Sequence, residues 1–442
     1  MPAADTPDEA RGRLKGYWIV LGVVLFAVAM GPASFRAPAA ADWLNTYVLA
    51  AQQMIAHQPI HTTGKNALGA GPFTYPPAAA LLAIPVAATP QKFALAAWYF
   101  ASVLAMCVAV RAAWRLAGGS PVSQIAQAEI WILAFGLLLG LRYLTSPFGN
   151  RQTDMFVAGA VLGGCWLLAK GRDIEGAIWL GAATAIKCTP LLFAPYLAWR
   201  GRWISAAVVV AVALALNYVP DLVWPQASGQ SYLTQWRQVS LAPVREGVPG
   251  EWFADRLRNQ SIAGLVGRLA TFGPITRIDA INADAPTMSP ARARATRLLT
   301  YGIGLGLLAI TAWRFGWRTP NHRQVAIEFA AVICLMLLLS PMTSKSHLCV
   351  LILPLFLVAR AIVERRTTGW ILLGIALVLT GPLAARDLIG RNASDLTMAW
   401  GLPVLFVFLN LAAMWKLAHH ASNGEDRKRE AAYATAEPPR QR

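Results

Sequence analysis

Long uncharged apolar runs recur along the sequence, and no other feature restricts its possible folds as much. The first extends from Tyr17 to Phe35, and later runs also have roughly 17–25 residues, the length of a membrane-spanning helix. The runs are continuous, whereas a transmembrane β-barrel has alternating segments of about ten residues. Only 14% of the residues are charged, against about 25% in soluble domains. The chain is therefore predicted to be an all-α integral membrane protein.

The apolar runs divide the chain into membrane modules and polar segments. Residues 1–16 and 419–442 are polar, and we expect them to be disordered in the cytoplasm. Between them we expect an N-terminal transmembrane module, 17–220, whose first outer loop is 36–75, then a large outer loop, 221–296, and a C-terminal transmembrane module, 297–418. About twelve spans are predicted, over residues 17–35, 76–90, 93–114, 124–144, 152–169, 174–199, 203–219, 297–315, 325–341, 347–363, 369–385 and 396–417.

The net charge of +17 comes largely from lysine and arginine in short loops between apolar runs. This pattern is typical of cytoplasmic loops, so the charge does not indicate nucleic-acid binding. The basic stretch at 170–173 leaves the topology between 76 and 199 open, because 174–199 is either one span or a hairpin broken at Pro190. Both versions place 36–75 and 221–296 on the same, outer side. A cleaved signal peptide is the alternative for the first span, since APAAAD follows it.

Several polar residues lie at the expected ends of spans, where chemistry at the membrane surface would need them. Asp42 follows the first span, either as a general base or as the N-cap of a helix beginning near Leu44. Asn150 and Gln152 precede another apolar run, where helix capping is the alternative. Lys187 lies within an apolar stretch, either as a functional charge or reaching toward an interface.

Two further groups of polar residues lie in segments expected on the outer side. The large loop contains Arg258, Asn259 and Gln260. Lys345 and His347 lie between two late spans and would bind a lipid-linked phosphate as charge-assisted donors, with an ordinary exposed turn as the alternative. Tyr75 stands in FTYPP, a motif that fixes the entry of a helix. No histidine or cysteine spacing predicts a metal site.

Six motifs occur in order along the chain: DWLNTY with AAQQMIAHQP, FTYPP, GNRQ, IKCTPLLF with RGRW, NQSI, and SPMTSKSH. Together they resemble glycosyltransferase family 87, the polyprenol-phosphate-mannose-dependent mannosyltransferases, over about residues 17–363. The motifs also include Tyr47. The chain departs from the family at Thr46, where an aromatic residue is common, and at Ser344 and Ser346, where tryptophan and histidine are common.

The resemblance implies a GT-C fold, a multi-helix bundle with its active site at the outer face. It implies transfer of a hexose, typically mannose, from a polyprenyl-phosphate-linked donor to a hydroxyl of a lipid or glycan acceptor, with inversion. Asp42 would be the base, His347 would contribute to the donor site, and Asn259–Ser261 would match the family's loop motif. We expect membrane lipids as neighbours, no cofactor, and a location in the bacterial inner membrane with the site on the periplasmic side.

In the expected mechanism, Asp42 deprotonates the acceptor hydroxyl, while Lys345, His347 and Arg258 stabilise the departing polyprenyl phosphate. A secondary transporter or lipid flippase is the alternative class, and it would place ionisable residues near mid-bilayer on broken helices. Only Lys187, close to Pro190, fits that pattern. A non-catalytic subunit that has kept the fold is a third possibility. The concentration of polar motifs at one face favours a transferase.

Overall fold

The computed structural model describes residues 43–62, 72–242, 257–273, 288–317 and 320–422, together with positions 31, 247, 275 and 278. Throughout these ranges the chain forms helices and no strand, so the all-α prediction is confirmed. The α-helices are α1 Trp43–Ile55, α2 Ala78–Leu81, α3 Gln91–Leu116, α4 Gln127–Asn150, α5 Asp154–Ala169, α6 Asp173–Ile186, α7 Phe193–Trp199, α8 Trp203–Val223, α9 Tyr232–Trp236, α10 Ile262–Phe272, α11 Pro290–Phe315, α12 His322–Leu338, α13 Ile352–Arg365, α14 Thr368–Thr380, α15 Arg386–Ile389, α16 Arg391–Ala399 and α17 Leu402–Ser422.

Short helices of other types join several of these elements. They are the 3₁₀ segments Ile84–Val86, Val122–Gln124, Thr189–Leu192, Lys345–Leu351 and Pro382–Ala384, and one π-helical turn at Arg237–Leu241. The segment Lys345–Leu351 leads directly into α13, and it lies against both α4 and α5. This position makes it the centre of the site described below.

Among the described residues, six helical segments are long and apolar enough to cross a membrane. They are α3, α4, α8, α11, Lys345–Arg365 and Leu402–His419, and shorter apolar helices are present at Asp154–Ala169, Ile262–Phe272 and Thr368–Ala384. Large apolar side chains on the long helices face outward, including Phe100, Trp131 and Leu305, each more than 60% exposed. An outer surface of this kind suits lipid, and the chain is a multi-pass membrane protein.

The predicted span over 76–90 is wrong. This stretch forms only the single turn α2 and the 3₁₀ turn Ile84–Val86. Pro85 lies within that second turn and Pro90 precedes α3. Proline lacks the backbone N–H that a continuing α-helix needs, so the apolar composition of 76–90 does not produce a long helix.

Other predicted boundaries also shift where glycine or proline interrupts an apolar run. The stretch 174–199 is broken: α6 ends at Ile186, Lys187 is extended with φ −149° and ψ 121°, and Pro190 lies in the following 3₁₀ turn. The last span begins at Leu402 rather than 396, because Gly401 has φ 74°. Helix α17 continues to Ser422, past the predicted start of the disordered tail at 419. Residues 1–16, almost all of the first predicted span and 423–442 lie outside the described residues.

The helices pack in two groups that share the segment Lys345–Leu351. One group is α3, α5, α6 and α8, and the other is α4, α12, α13 and α17. Helices α5 and α6 approach closely through glycine: a Cβ at Gly176 would lie 2.7 Å from the Gly164 carbonyl oxygen, and one at Gly164 would lie 2.8 Å from the Gly176 oxygen. Small residues allow this backbone approach in membrane helices. The close packing holds Asp154, at the start of α5, near Lys187, just after α6.

Candidate active site

A buried ion pair stands at the centre of the candidate site. Asp154 is the first residue of α5, and its carboxylate Oδ1 lies 2.6 Å from the Lys187 Nζ. Asp154 is 3% exposed and Lys187 is 8% exposed. The break after α6 places Lys187 in extended backbone, so its side chain reaches across to the start of α5. A buried ammonium group is costly without a partner, and the carboxylate supplies one.

His347 joins this pair from the 3₁₀ segment. Its Nε2 lies 3.7 Å from the Asp154 Oδ1, while its Nδ1 accepts a hydrogen bond from the Ser344 backbone N–H at 3.1 Å. Because Nδ1 acts as acceptor, a neutral imidazole carries its proton on Nε2, on the side of the carboxylate. His347 therefore presents an N–H donor to the interior of the cluster.

Two tyrosines from separate elements form the wall of this cluster. The Tyr47 hydroxyl lies 3.3 Å from the Thr153 Oγ1, and its ring centroid is 5.3 Å from that of Tyr75. The Lys187 Nζ is 5.2 Å from the centroid of the Tyr75 ring, a cation–π contact. Burial raises the pKa of both phenols above the usual value, so both remain neutral hydroxyls at physiological pH. Trp98 stacks on Tyr47 at 5.5 Å and fixes its orientation.

Asn150 holds the end of α4 against the 3₁₀ segment. Its Nδ2 donates to the Oγ atoms of Ser146 and Ser346, both at 3.2 Å, and these two hydroxyls are 2.8 Å apart. Gln152 is buried in the turn between Asn150 and Asp154. The structure therefore brings together five of the predicted residues, with Asn150 acting through Ser346; they are Tyr47, Tyr75, Asn150, Lys187 and His347.

Asn259 and Gln260 lie in a second, separate network. The Asn259 Nδ2 donates to the Pro341 oxygen at 2.9 Å, and its Oδ1 accepts from the Thr343 N–H at 3.2 Å. The Gln260 Nε2 donates to the Met398 oxygen at 2.9 Å. The Asn259 side chain therefore positions the loop before Lys345, and the Gln260 side chain is held at the end of α16. Contact of either residue with substrate stays a prediction.

Lys345 and His347 point to different surroundings, although the sequence suggests one phosphate site for both. Lys345 is half-buried and interacts electrostatically with Arg142 and Arg258, and also with the carboxylates of Asp387 and Asp395. His347 faces Asp154 instead. Arg258 is exposed. The predicted phosphate donors therefore lie in two places. His347 belongs to the nearly neutral cluster around Asp154 and Lys187, and Lys345 and Arg258 belong to a cationic region with Arg142.

Sequence reasoning missed the importance of Asp154 and of Arg142. An aspartate before an apolar run indicates a helix cap, but Thr153 is the N-cap of α5 and its side chain makes no capping hydrogen bond. The available signal was a pair of opposite charges, Asp154 and Lys187, each beside an otherwise uncharged run. Arg142 is a lone charge inside the run LLLGLRYL, and such a charge in a membrane helix is itself a functional hypothesis.

Asp42 lies outside the described residues. In sequence it immediately precedes Trp43, the first residue of α1, and it comes five residues before Tyr47, which lies in the cluster. The helix predicted to begin near Leu44 is confirmed, with its start at Trp43.

The arrangement offers a neutral carboxylate–ammonium pair, an imidazole N–H and two phenols inside a protein with a lipid-facing exterior. Fold and site together define a multi-pass helical membrane protein with a buried polar site assembled from several helix ends. The family model for glycosyltransferase family 87 matches residues 73–341. The chain belongs to this family. Tyr75, Asn150, Asp154 and Lys187 lie within the matched range, whereas His347 lies just beyond it.

Two curated proteins are similar to the chain at low identity. Both are polyprenol-phosphate-mannose-dependent alpha-(1-2)-phosphatidylinositol pentamannoside mannosyltransferases. The one from Mycobacterium tuberculosis is 27% identical over 205 residues, which cover 46% of this chain and 45% of the relative. The one from Mycolicibacterium smegmatis is 26% identical over 279 residues, which cover 62% and 58%. The matches therefore span about half the length of these relatives. No solved structure matches the chain significantly.

Proposed function

We propose that this protein transfers a hexose, with mannose as the first candidate, from a polyprenyl-phosphate-linked donor to a hydroxyl of a glycolipid or glycan acceptor, with inversion. One observation carries the proposal: the family match includes the residues that build the buried cluster around Asp154 and Lys187. The two similar proteins are named as users of polyprenol-phosphate-mannose, which supports this donor class. Family membership favours a transferase over a transporter or flippase.

The proposed reaction begins at Asp42, whose carboxylate takes the proton of the acceptor hydroxyl. The hydroxyl oxygen then bonds to the anomeric carbon from the face opposite the phosphate. The bond between that carbon and the phosphate oxygen breaks, and its electron pair leaves with the polyprenyl phosphate. Preorganised donors around the leaving phosphate lower the barrier, and Lys345, His347 and Arg258 are the proposed donors.

Helix α1 begins directly after Asp42 in the sequence and contributes Tyr47 to the buried cluster, which supports Asp42 as the base. Its buried side chains Leu44, Tyr47, Ala51 and Met54 recur at helical spacing, so this helix packs firmly against the bundle. Tyr47 lies in the cluster, and Asp42 precedes it by little more than one helical turn of sequence. A base at this position would stand at the edge of the buried polar site.

We also propose a GT-C architecture of about twelve spans, with the active site on the outer side of the plasma membrane. The segments that converge on the cluster support one common face: the end of α4, the start of α5, the break after α6 and the start of Lys345–Leu351. Exposed apolar helix surfaces beside that face would accommodate the polyprenyl chain of the donor, which explains why a sugar transfer would need an extensive membrane bundle.

The test is transfer of radiolabelled mannose from polyprenyl-phosphate-mannose, using membranes that contain the wild type or Asp42→Asn. We expect activity to fall by about 10²–10⁴-fold in the variant, at equal protein level. Glu364→Gln is the matched control, since it makes the same carboxylate-to-amide change at an exposed pair with Arg360. Equal activity of Asp42→Asn and wild type would exclude Asp42 as the base. A wild type inactive with every lipid-linked hexose would refute the transferase proposal.

A further inference from the structure

Arg142 is a buried cation without a counter-charge among the described residues. It lies inside the membrane-length helix α4 and is 6% exposed. Its Nη1 and Nη2 donate to the Gly381 oxygen and the Ser394 Oγ over long distances of 3.5 Å and 3.4 Å. Its Nε is buried and has no hydrogen-bond partner in the described part of the chain. The guanidinium carbon also lies 5.8 Å from the centroid of the Tyr143 ring. A ring face does not satisfy the N–H groups, so the guanidinium keeps much of its donor capacity unused.

Two other buried arginines show how this protein satisfies such a group when its role is structural. Arg200 forms a bidentate pair with Glu328, at 2.5 Å and 2.8 Å. Arg268 donates to the backbone oxygens of Ala399 and Met398, each at 3.2 Å, and to that of Asn259. Because a buried charge without good partners is costly, the difference at Arg142 indicates a partner other than the described residues.

Lys345 and Arg258 add positive charge near Arg142. Ser346, the residue after Lys345, lies 2.8 Å from Ser146, one helical turn after Arg142 on α4. Arg142 is buried, Lys345 is half-buried and Arg258 is exposed, so the three cations lie at increasing distance from the interior. Lys345 makes no hydrogen bond or ion pair among the described residues, and it interacts electrostatically with both arginines. Asp387 and Asp395 offset this charge only in part, since Asp395 lies 3.8 Å from Arg391.

We propose that Arg142 and Lys345 form an anion site that binds the phosphate group of a lipid substrate. A planar guanidinium presents a fork of N–H donors that matches phosphate oxygens, and the lysine adds a point charge. The site is distinct from the Asp154–Lys187 pair, whose charges already neutralise each other. The inference rests on the proposed function, because that function supplies phosphate-bearing lipids. The phosphate belongs either to the polyprenyl donor or to a phospholipid acceptor.

The experiment measures binding by the full-length protein in phosphatidylcholine nanodiscs, without any sugar transfer. The two probes are polyprenyl phosphate and phosphatidylinositol. We expect Arg142→Gln and Lys345→Met each to raise the Kd for at least one probe on the order of tenfold to a hundredfold, as for loss of a charge-assisted hydrogen bond. Arg172→Gln, which removes an exposed cation paired with Glu175 of α6, serves as control and should change the Kd less than about threefold.

The two probes separate the possible sources of the phosphate. An effect on polyprenyl phosphate alone assigns the site to the donor, an effect on phosphatidylinositol alone assigns it to the acceptor, and an effect on both supports a general phosphate site. Unchanged affinities in both variants, or no binding of either probe by the wild type, would overturn the inference. If Arg142→Gln cannot be purified as a folded protein, the Kd values of Arg142→Lys and Lys345→Met test the proposal in its place.

Binding is measured independently of catalysis, so the two proposals fail separately. Unchanged phosphate binding in the variants, together with mannose transfer by the wild type, would overturn the Arg142 site alone. Phosphate binding that depends on Arg142, in a protein inactive with every lipid-linked hexose, would overturn the proposed transfer alone.

Discussion

The pair Asp154–Lys187 can be tested by removing its charges one at a time and then together. At 2.6 Å, and with an effective dielectric constant of about 20, the attraction between the two charges is roughly 6 kcal/mol. Desolvation of the two buried ions costs a similar amount, so the net contribution of the pair to stability is close to zero. Removal of one partner is different, because it leaves the other charge buried alone, at a cost of about 3–5 kcal/mol.

The two single variants should not be equal. In Lys187→Met, the neutral His347 still presents its Nε2 N–H to Asp154 at 3.7 Å, so the carboxylate keeps a donor group beside it. In Asp154→Asn, no other carboxylate among the described residues forms an ion pair with Lys187. We therefore expect Asp154→Asn to lower the free energy of unfolding more than Lys187→Met. The double variant, Asp154→Asn with Lys187→Met, should return close to wild-type stability.

The double variant also separates packing from function. Thermal unfolding of the purified protein measures stability, and transfer from polyprenyl-phosphate-mannose measures activity. We expect the double variant to recover stability while transfer stays lower by about 10²–10³-fold, the usual effect of losing one preorganised charge at a reacting centre. Recovery of both stability and activity would refute the reasoning, because the pair would then serve the fold alone. A double variant as unstable as Asp154→Asn would refute the proposed charge balance.

Two further predictions concern stability: one tests the packing of α5 on α6, and the other tests its dependence on pH. Gly176→Ala places a Cβ 2.7 Å from the Gly164 oxygen and should destabilise the protein by about 1–3 kcal/mol in thermal unfolding. The control Gly302→Ala, whose Cβ would have no atom within 4 Å, should be neutral or stabilising. Equal effects of the two substitutions would contradict the close packing of α5 on α6. Burial lowers the pKa of His61 to about 4, so between about pH 6.5 and 4 the unfolded chain binds more protons than the folded chain. The free energy of unfolding should therefore fall as the pH decreases through that range, by at most about 3 kcal/mol, and should level off below it. His61→Gln should remove this dependence from the melting temperature, and an unchanged slope in that variant would contradict the assignment.

The sequence predicts most of the long helices because an apolar run of membrane length leaves few alternatives. It fails where a single residue changes the backbone. Pro85 ends a helix that composition would continue across 76–90, and the extended Lys187 divides 174–199. An average over many residues does not detect such breaks. Pro190 indicated a broken 174–199 as one of two alternatives, and this break carries Lys187 to its partner. The chemistry of the site thus depends on the positions that the averaged signal overlooks.

Contacts between site residues that are far apart in the sequence are also hard to predict. Lys187 was identifiable because a charge in an apolar stretch needs a reason, but its partner was not, since 33 positions separate it from Asp154. Only the packing of α5 on α6 brings the two together. Arg142 was not recognised from the sequence, because a single charge leaves a run of that length apolar on average. Asn259 and Gln260 were recognised as important, but in the structure Asn259 holds the loop before Lys345 and Gln260 bonds to the end of α16.

The 3₁₀ conformation of Lys345–Leu351 explains why neighbouring residues serve different surroundings. With about three residues per turn, successive side chains point roughly 120° apart. Ser346 lies 2.8 Å from Ser146 on α4, His347 faces Asp154 on α5, and Lys345 interacts electrostatically with Arg142. One short segment therefore fixes the spacing between the nearly neutral cluster and the cationic region. If the cationic region holds the lipid phosphate, the sugar attached to that phosphate is carried toward His347 and Tyr47, where the proposed base at Asp42 would meet the acceptor.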